Sequence, residues 1–220
     1  MSTGPGVSPE ASDLVDPAGV VDAVAPRPVI ATELIHEGII WDVVRDTVDL
    51  GDAGTVRREY VRHPGAVSVL ALDDADRVLL LRQYRPAVRQ ELWEPPAGLL
   101  DVPGEPLQAA AARELAEEAD LVAARWWTLV DYRSSPGGSD EALRVFLARD
   151  LSPVPEAERH TREAEEQGMA RAWVPLPDAV EAVLGGRLHN PSTVIGVLAA
   201  AAAQARGWTG LRPADAPVLP

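Results

Sequence analysis

Three glutamates and an arginine near the middle of the chain have the spacing of a metal-binding helix face. Glu114, Glu117 and Glu118 lie in segment 106–118, whose recurring alanines and leucines predict a helix. At about 100° per residue, Glu118 lies about 40° from Glu114, and Glu117 lies about 60° to the other side. Carboxylates on one face repel each other, and Mg²⁺ or Mn²⁺ would offset that repulsion. Arg113 stands beside them and could orient one carboxylate, although an isolated E-x-x-E-E can also be a solvated acidic face.

The segments around this helix form the framework that must hold it. Alternating or continuous apolar runs predict strands, and Ala-rich or amphipathic segments predict helices. The predicted strands are 39–50, 55–61, 66–72, 78–83, 126–132, 143–148 and 172–176, and the predicted helices are 106–118, 178–184 and 192–205. A Gly- and Asp-containing turn at 51–54 joins the first two strands as a hairpin. This order is typical of an α+β (mixed α/β) domain with a helix packed on a sheet.

Composition divides the chain into a central domain and two ends. Residues 1–28 are rich in Gly, Pro, Ser, Ala and Asp without a sustained period, which predicts a flexible arm. Residues 207–220 contain three prolines and are expected to form a loose tail. Between them, 29–206 is predicted to be one domain, whose N-terminal strands cover about 31–62.

Charge and residue usage exclude several classes of function. The net charge of −14 argues against a nucleic-acid partner, because such a partner requires clustered Lys and Arg. The chain has no cysteine, which excludes disulfides, thiolate metal sites and a cysteine nucleophile. We expect no membrane partner and a soluble cytoplasmic protein, because the start of the chain lacks the pattern of a signal peptide and the longest apolar run, 194–203, is too short to span a bilayer.

The acidic helix is one part of a longer pattern that resembles the Nudix box, G-x5-E-x7-R-E-U-x-E-E-x-G-U, where U is aliphatic. The matching residues are Gly98, Glu105, Arg113, Glu114, Leu115, Glu117, Glu118 and Leu121. Six residues instead of five separate Gly98 from Glu105, which adds one residue to a loop and leaves the helix register unchanged. Asp120 replaces the second box glycine, at a helix end where a left-handed residue is expected, and Asp tolerates that conformation better than most residues.

This resemblance implies a fold and a set of roles. The fold is a Nudix-type α/β/α sandwich with a mixed sheet, a catalytic helix and an N-terminal antiparallel strand region. The resemblance implies that Mg²⁺, or alternatively Mn²⁺, is bound by Glu114, Glu117, Glu118 and the Ala97 carbonyl, and that Arg113 is a catalytic residue. It also implies a general base on a loop after the box. Glu166 or Glu165, in segment 161–168, is the candidate, and the alternative is an acidic solvated loop.

Flanking residues are similar to those of the ADP-ribose pyrophosphatase group of Nudix hydrolases. The sequence ELWEPPAG ends at Gly98, and Pro136 follows Leu121 by fifteen residues, close to the marker proline of that group. The positions of the substrate-contacting residues in the group correspond here to Arg58, Glu59, Arg85 and Glu141. Each of these four could instead be an ordinary strand charge or a solvated loop residue. His63 and His160 are interpreted as loop residues.

The implied activity is Mg²⁺-dependent hydrolysis of a nucleoside diphosphate sugar, with ADP-ribose giving AMP and ribose 5-phosphate. The alternatives are another Nudix substrate, such as GDP-mannose or a damaged nucleotide, and a Nudix-fold ligand sensor without turnover. The partner is therefore a small nucleotide. The resemblance further implies a homodimer whose N-terminal strands cross to the partner, so that Arg58 and Glu59 could act in the site of the other subunit.

Overall fold

The computed structural model describes residues 16, 19–160 and 168–218 of the chain. The strands are β1 (Val29–His36), β2 (Asp42–Asp49), β3 (Thr55–Arg62), β4 (Ala66–Ala71), β5 (Arg77–Arg85), β6 (Gln90–Glu94), β7 (Ala97–Leu99), β8 (Leu121–Arg133), β9 (Ala142–Pro153), β10 (Ala170–Pro175) and β11 (Arg212–Pro213). The helices are α1 (Leu107–Ala119), α2 (Leu176–Leu184) and α3 (Pro191–Ala205).

The strands form three sheets. A five-stranded sheet has the order β11-β8-β9-β4-β7, and β4 runs parallel to β9 while its other pairs are antiparallel. A second sheet has the order β10-β5-β6, and the N-terminal sheet has the order β1-β2-β3; both are antiparallel. The predicted mixed sheet and N-terminal antiparallel region are therefore confirmed.

The core divides into two layers because side chains alternate along each central strand. On β4, Val67 and Val69 face the layer that contains α1, whereas Leu70 faces the layer that contains α2 and α3. The same alternation separates Phe146 from Leu147 on β9. Helices therefore cover both sides of the central strands, and the predicted α/β/α sandwich with mixed α+β content is confirmed.

Most predicted elements are present with different ends. The hairpin at 51–54 joins β2 to β3, and α1 ends within one residue of its predicted end. The predicted strands at 126–132 and 143–148 are parts of β8 and β9, which continue together as a paired ribbon. Leu176, predicted to end a strand, instead begins α2, because Pro175 occupies the N-cap and a second proline follows within the first turn.

Strand β1, the short strands β6 and β7, and the course of the tail were not predicted individually. Prolines between β6 and β7 suggested only a break, yet both strands pair with neighbours. Of the predicted arm, the structure describes residues 16 and 19–28. Residues 20–28 are exposed and form no helix or strand, and the rest of the arm lies outside the described residues. The predicted loose tail is instead attached as far as Pro217, because β11 pairs with β8 and Arg144 donates hydrogen bonds to the carbonyls of Ala216 and Pro217.

Across the ranges that the structure describes, none of the helices has the length and apolar character needed to cross a membrane.

Candidate active site

The site is built where α1 crosses the short strand β7. The strand pairs with β4, with Ala97 opposite Ser68 and Gly98 opposite Val67. α1 packs against both strands through buried residues, including Ala111 and Leu115. Because its apolar face is held in the core, its acidic face lies over the backbone of β7.

Gly98 leaves room for the carboxylate of Glu114 over β7. A Cβ added at Gly98 would overlap the carboxyl carbon and Oε1 of Glu114. Any side chain at this position would therefore displace the carboxylate. The box glycine has a steric role here, since its φ is not in the left-handed region.

Glu118 is held by the same strand. Its Oε2 accepts a hydrogen bond from the Ala97 amide at 3.0 Å, and the residue is buried. A hydrogen bond from an amide to a carboxylate is charge-assisted and stronger than a neutral one. Neighbouring backbone positions, Ala97 and Gly98, thus face the carboxylates of Glu118 and Glu114.

Arg113 links the remaining carboxylates of the box. Its guanidinium donates to both oxygens of Glu105, at 3.3 and 3.1 Å, and to Glu114 Oε1 at 2.6 Å. It also donates to Glu117 Oε2 at 3.2 Å. The hydrogen bonds to Glu105 and the charge of Glu114 raise the pKa of Arg113 above its ordinary value. Arg113 therefore orients three carboxylates of the box, whereas the sequence analysis expected it to orient one.

The helix ends as the sequence predicts. Asp120 adopts the left-handed conformation, with φ 56° and ψ 35°. Arg171 of β10 donates to the Asp120 carboxylate at 3.2 Å and to the Ala119 carbonyl at 3.0 Å. An ion pair and a bond to a terminal carbonyl therefore hold the end of α1.

The chemistry of these groups fits a hard divalent cation. Burial raises the pKa of Glu114, although the Arg113 guanidinium opposes this shift. The guanidinium therefore does not fully offset the cost of desolvating the ionised carboxylate. Carboxylate and carbonyl oxygens are the ligands that Mg²⁺ prefers. Within 19–160 and 168–218, no three His, Asp or Glu side chains already enclose a point where a metal could sit. In this arrangement, Glu114 and Glu117 are bound to Arg113, and Glu118 is bound to the Ala97 amide.

A cleft of about 340 Å³ opens beside β7. Arg85 lines it and makes a paired hydrogen bond with the buried carboxylate of Glu94, at 2.9 and 2.6 Å. Glu141 lines the cleft on another side, and its Oε2 accepts a short hydrogen bond from Ser134. The structure thus brings Arg85 and Glu141 together with Ala97 and Gly98 of β7. The acidic helix reaches this cleft only through β7, because no residue of α1 is among its lining residues.

Sequence reasoning missed several residues of this cleft. His63, interpreted as a loop residue, lines it, with its Nε2 3.6 Å from Glu141 Oε1. Tyr132 and Ser192 also line it and share a hydrogen bond of 2.8 Å. Of these residues, only His63 could have been suspected from the sequence, because it lies between β3 and a Pro-Gly turn that precedes the buried β4. His160 is exposed, in agreement with its interpretation.

Other predicted site residues lie elsewhere. Arg58 and Glu59 are exposed neighbours on β3, where successive side chains point to opposite faces of the N-terminal sheet, and neither lines the cleft. Glu59 is bound to Arg45 across β2 and β3, and Arg58 donates to the Arg57 carbonyl. The two candidate bases, Glu165 and Glu166, lie outside the described residues.

Comparisons with known proteins agree with this geometry. A model of the NUDIX domain matches residues 62–192. The chain is 44% identical over 186 residues to an ADP-ribose pyrophosphatase of Mycobacterium tuberculosis (strain ATCC 25618 / H37Rv), covering 84% of this chain and 88% of that protein. It is 34% identical over 169 residues to an ADP-ribose pyrophosphatase of Bacillus subtilis (strain 168), covering 76% and 89% respectively.

A solved structure supports the fold. The crystal structure of an ADP compounds hydrolase superposes with a TM-score of 0.68 at 21% identity, covering 85% of this chain and 99% of the other. The domain model and the relatives agree with the arrangement of the box carboxylates. The chain therefore belongs to the NUDIX family and is a Nudix hydrolase.

Proposed function

We propose that this chain hydrolyses the pyrophosphate bond of ADP-ribose, giving AMP and ribose 5-phosphate, in a reaction that depends on Mg²⁺. The observation that carries the proposal is the complete set of box carboxylates, on α1 and at Glu105 just before it, near a cleft in a chain 44% identical to a relative named ADP-ribose pyrophosphatase. Water supplies the oxygen that joins one phosphorus atom as the bridging P–O bond breaks. Attack on either phosphorus gives the same two products.

Members of the NUDIX family typically depend on a divalent metal. In this chain Glu114, Glu117, Glu118 and the Ala97 carbonyl would hold Mg²⁺, and Mn²⁺ would suit the same oxygen donors. When bound, such ions neutralise pyrophosphate charge and lower the pKa of a water molecule. The burial of Glu118 and the raised pKa of Glu114 support these assignments, because a cation would relieve the cost of desolvating both carboxylates.

The other residues of the chain have proposed roles that do not require metal coordination. Arg113 positions Glu114 and Glu117 through its hydrogen bonds to their carboxylates. Glu166 or Glu165 takes a proton from the attacking water, as a general base. Arg85, oriented by its paired bond to Glu94, contacts a phosphate, and Glu141 contacts the sugar.

We also propose that the active form is a homodimer in which β1–β3 meet the partner subunit. Apolar side chains on β1 are exposed, including Ile30 at 61% and Leu34 at 53%, and β1 is an edge strand. Burial against a second copy would cover these side chains. Arg58 and Glu59 would then act in the site of the other subunit. Sedimentation should give twice the chain mass, and a fully active monomer would contradict this proposal.

The activity is tested by turnover in excess Mg²⁺ with products identified by mass. The substrates are ADP-ribose, GDP-mannose, NADH, diadenosine polyphosphates and 8-oxo-dGTP. We expect ADP-ribose to be preferred and chelator to abolish turnover. Glu118→Gln keeps an oxygen for the Ala97 amide but loses the charge, so we expect at least a 100-fold loss of kcat. A different preferred substrate would contradict the proposal that ADP-ribose is the substrate. A Glu118→Gln variant with full turnover would contradict the proposed metal site. A wild type inactive on every substrate would favour a ligand sensor.

A further inference from the structure

We propose that His63 is a positioning residue of this hydrolase, which holds the carboxylate of Glu141 so that it accepts hydrogen bonds from sugar hydroxyls of the substrate. The proposal rests on the proposed function, because it assumes a sugar nucleotide in the cleft. Both residues line the cleft, yet neither belongs to the acidic helix. The side chains are mostly buried, at 13% exposed for His63 and 23% for Glu141.

The backbone around His63 selects one tautomer of its ring. The Gly65 amide donates a hydrogen bond to Nδ1 at 3.1 Å. A backbone N–H can only donate, so Nδ1 must be unprotonated, and the neutral ring carries its proton on Nε2. Nε2 is the atom that faces Glu141 Oε1, at 3.6 Å. The ring therefore directs an N–H group towards the carboxylate.

Gly65 is held in the conformation that this arrangement requires. Its φ is +88°, in the region that favours glycine, and a Cβ added there would lie 3.2 Å from the Ala142 carbonyl and 3.2 Å from Leu100 Cδ1. On the other side of the turn, the His63 amide donates to Asp140 Oδ1 at 2.8 Å. The turn at 63–65 is therefore hydrogen-bonded to Asp140 and lies close to Ala142, the two neighbours of Glu141 in the chain.

The Glu141 carboxylate has a protein partner on each oxygen. Ser134 donates to Oε2, and His63 faces Oε1. Each oxygen of an ionised carboxylate has two acceptor sites, so the carboxylate can still accept bonds from a ligand. The distance of 3.6 Å is longer than a hydrogen bond, and contacts of this kind in ligand-free sites commonly shorten when the substrate binds. Sugar hydroxyls are the donors that the proposed substrate would offer.

Three substitutions of His63 separate positioning from a purely structural role. Glutamine can place an amide nitrogen near the position of Nε2, so it keeps a donor for Glu141. Asparagine can keep an acceptor for the Gly65 amide but does not reach Glu141. We expect His63→Asn and His63→Ala to raise KM about tenfold with kcat within about threefold, and His63→Gln to stay within about threefold of wild type in both. The reverse order of Asn and Gln would overturn the proposal.

A double-mutant cycle tests whether His63 acts through Glu141. If it does, adding His63→Ala to Glu141→Gln should raise KM by less than about twofold further. Independent, multiplying effects would overturn the proposal. His189→Gln serves as the matched control, because His189 is exposed and does not line the cleft, and its KM should be unchanged.

The tautomer can be measured without turnover. Long-range proton–nitrogen NMR spectra of the wild type should show the Nε2–H form for the one of four histidines whose signals disappear in His63→Ala. A ring protonated at Nδ1 would overturn the proposal even if the variants failed to fold. Wild-type turnover of ADP-ribose is measured in parallel: an inactive wild type rejects the proposed function, whereas an active one with the wrong order of variants rejects the role of His63 alone.

Discussion

The carboxylate of Glu114 occupies the space that a side chain at Gly98 would need. We expect Gly98→Ala to displace this carboxylate from β7, because the alternative is a shift of the whole helix against a close-packed core. A displacement of about 1 Å at a catalytic group can cost about 100-fold in rate, so kcat in excess Mg²⁺ should fall by about that factor. Circular dichroism and steady-state kinetics measure fold and rate separately.

Gly137→Ala is the matched control for this substitution. Gly137 has a negative φ and no heavy atom within 4 Å of an added Cβ, so its kcat should stay within about twofold of wild type. Full activity in Gly98→Ala would show that the Glu114 carboxylate is not needed at its position over β7.

The ion pair between Asp120 and Arg171 should compensate for the left-handed conformation of Asp120. Asp120→Ala loses the pair and keeps the unfavourable φ, so we expect a loss of about 2 kcal/mol in the free energy of unfolding. Asp120→Gly loses the pair but relieves the backbone, and should be closer to wild type. Urea denaturation measures both, and equal stabilities of the two variants would contradict this explanation.

Glu114 should reduce the stability of the metal-free protein at neutral pH. Burial raises its folded-state pKa above the unfolded value, so the cost of its charge is absent below the unfolded pKa and appears as pH rises through the folded one. Glu114→Gln should therefore melt at a higher temperature than wild type in chelator at about pH 7.5, and the difference should shrink at about pH 4. Thermal unfolding followed by circular dichroism measures this.

Added Mg²⁺ should reverse the order of these two proteins. A ligand that binds only the folded chain raises its melting temperature, and wild type should gain more than Glu114→Gln. Glu117→Gln is the control in chelator, because its side chain is more exposed (31% against 13%) and should change the melting temperature less. If wild type melted at a higher temperature than Glu114→Gln in chelator, the charge of Glu114 would not destabilise the metal-free protein, and this explanation would be wrong.

The attached tail depends on a buried ion pair. Burial opposes ionisation of Asp131, but the guanidinium groups of Arg144 and Arg212 hold its pKa below the ordinary value. Asp131→Asn leaves Arg144, 4% exposed, without its charge partner, and should cost about 3 kcal/mol of unfolding free energy at neutral pH. The rate of amide hydrogen exchange in residues 212–218 should increase in the Asp131→Asn variant.

The pH dependence of this effect has the opposite sign to that of Glu114. Because the folded-state pKa of Asp131 is lowered, its stabilisation is present above the unfolded pKa and is lost as pH falls through the folded one. The variant and wild type should thus converge in acid. Asp150→Asn, which breaks an exposed pair with Arg125, should cost less than about 1 kcal/mol; a cost equal to that of Asp131→Asn would contradict the role of burial.

Local rules account for the parts of this protein that the sequence predicted. Helical spacing puts Glu114, Glu117 and Glu118 on one face wherever the helix lies, since the angle per residue is a property of the backbone. The left-handed end at Asp120 follows from the same local geometry. Continuous apolar runs predicted β4 and β5, because both faces of these strands must be buried.

Other features depend on contacts between distant segments. The ends of β8 and β9 are set by their pairing with each other, and the tail is attached because Arg144 finds carbonyl groups more than seventy residues away. The position of His63 beside Glu141 joins residues 78 positions apart in the chain, which no local pattern encodes. Arg58 and Glu59 lie outside the cleft because β3 belongs to a separate sheet.

The sequence alone therefore determined which chemical groups this hydrolase carries and their order along one helix. Tertiary structure decided which of them meet: Gly98 receives Glu114, the Ala97 amide holds Glu118, and His63 faces Glu141. The physical reason is that helix periodicity is a short-range property of the backbone, whereas these contacts arise only when the buried core brings separate strands and helices together.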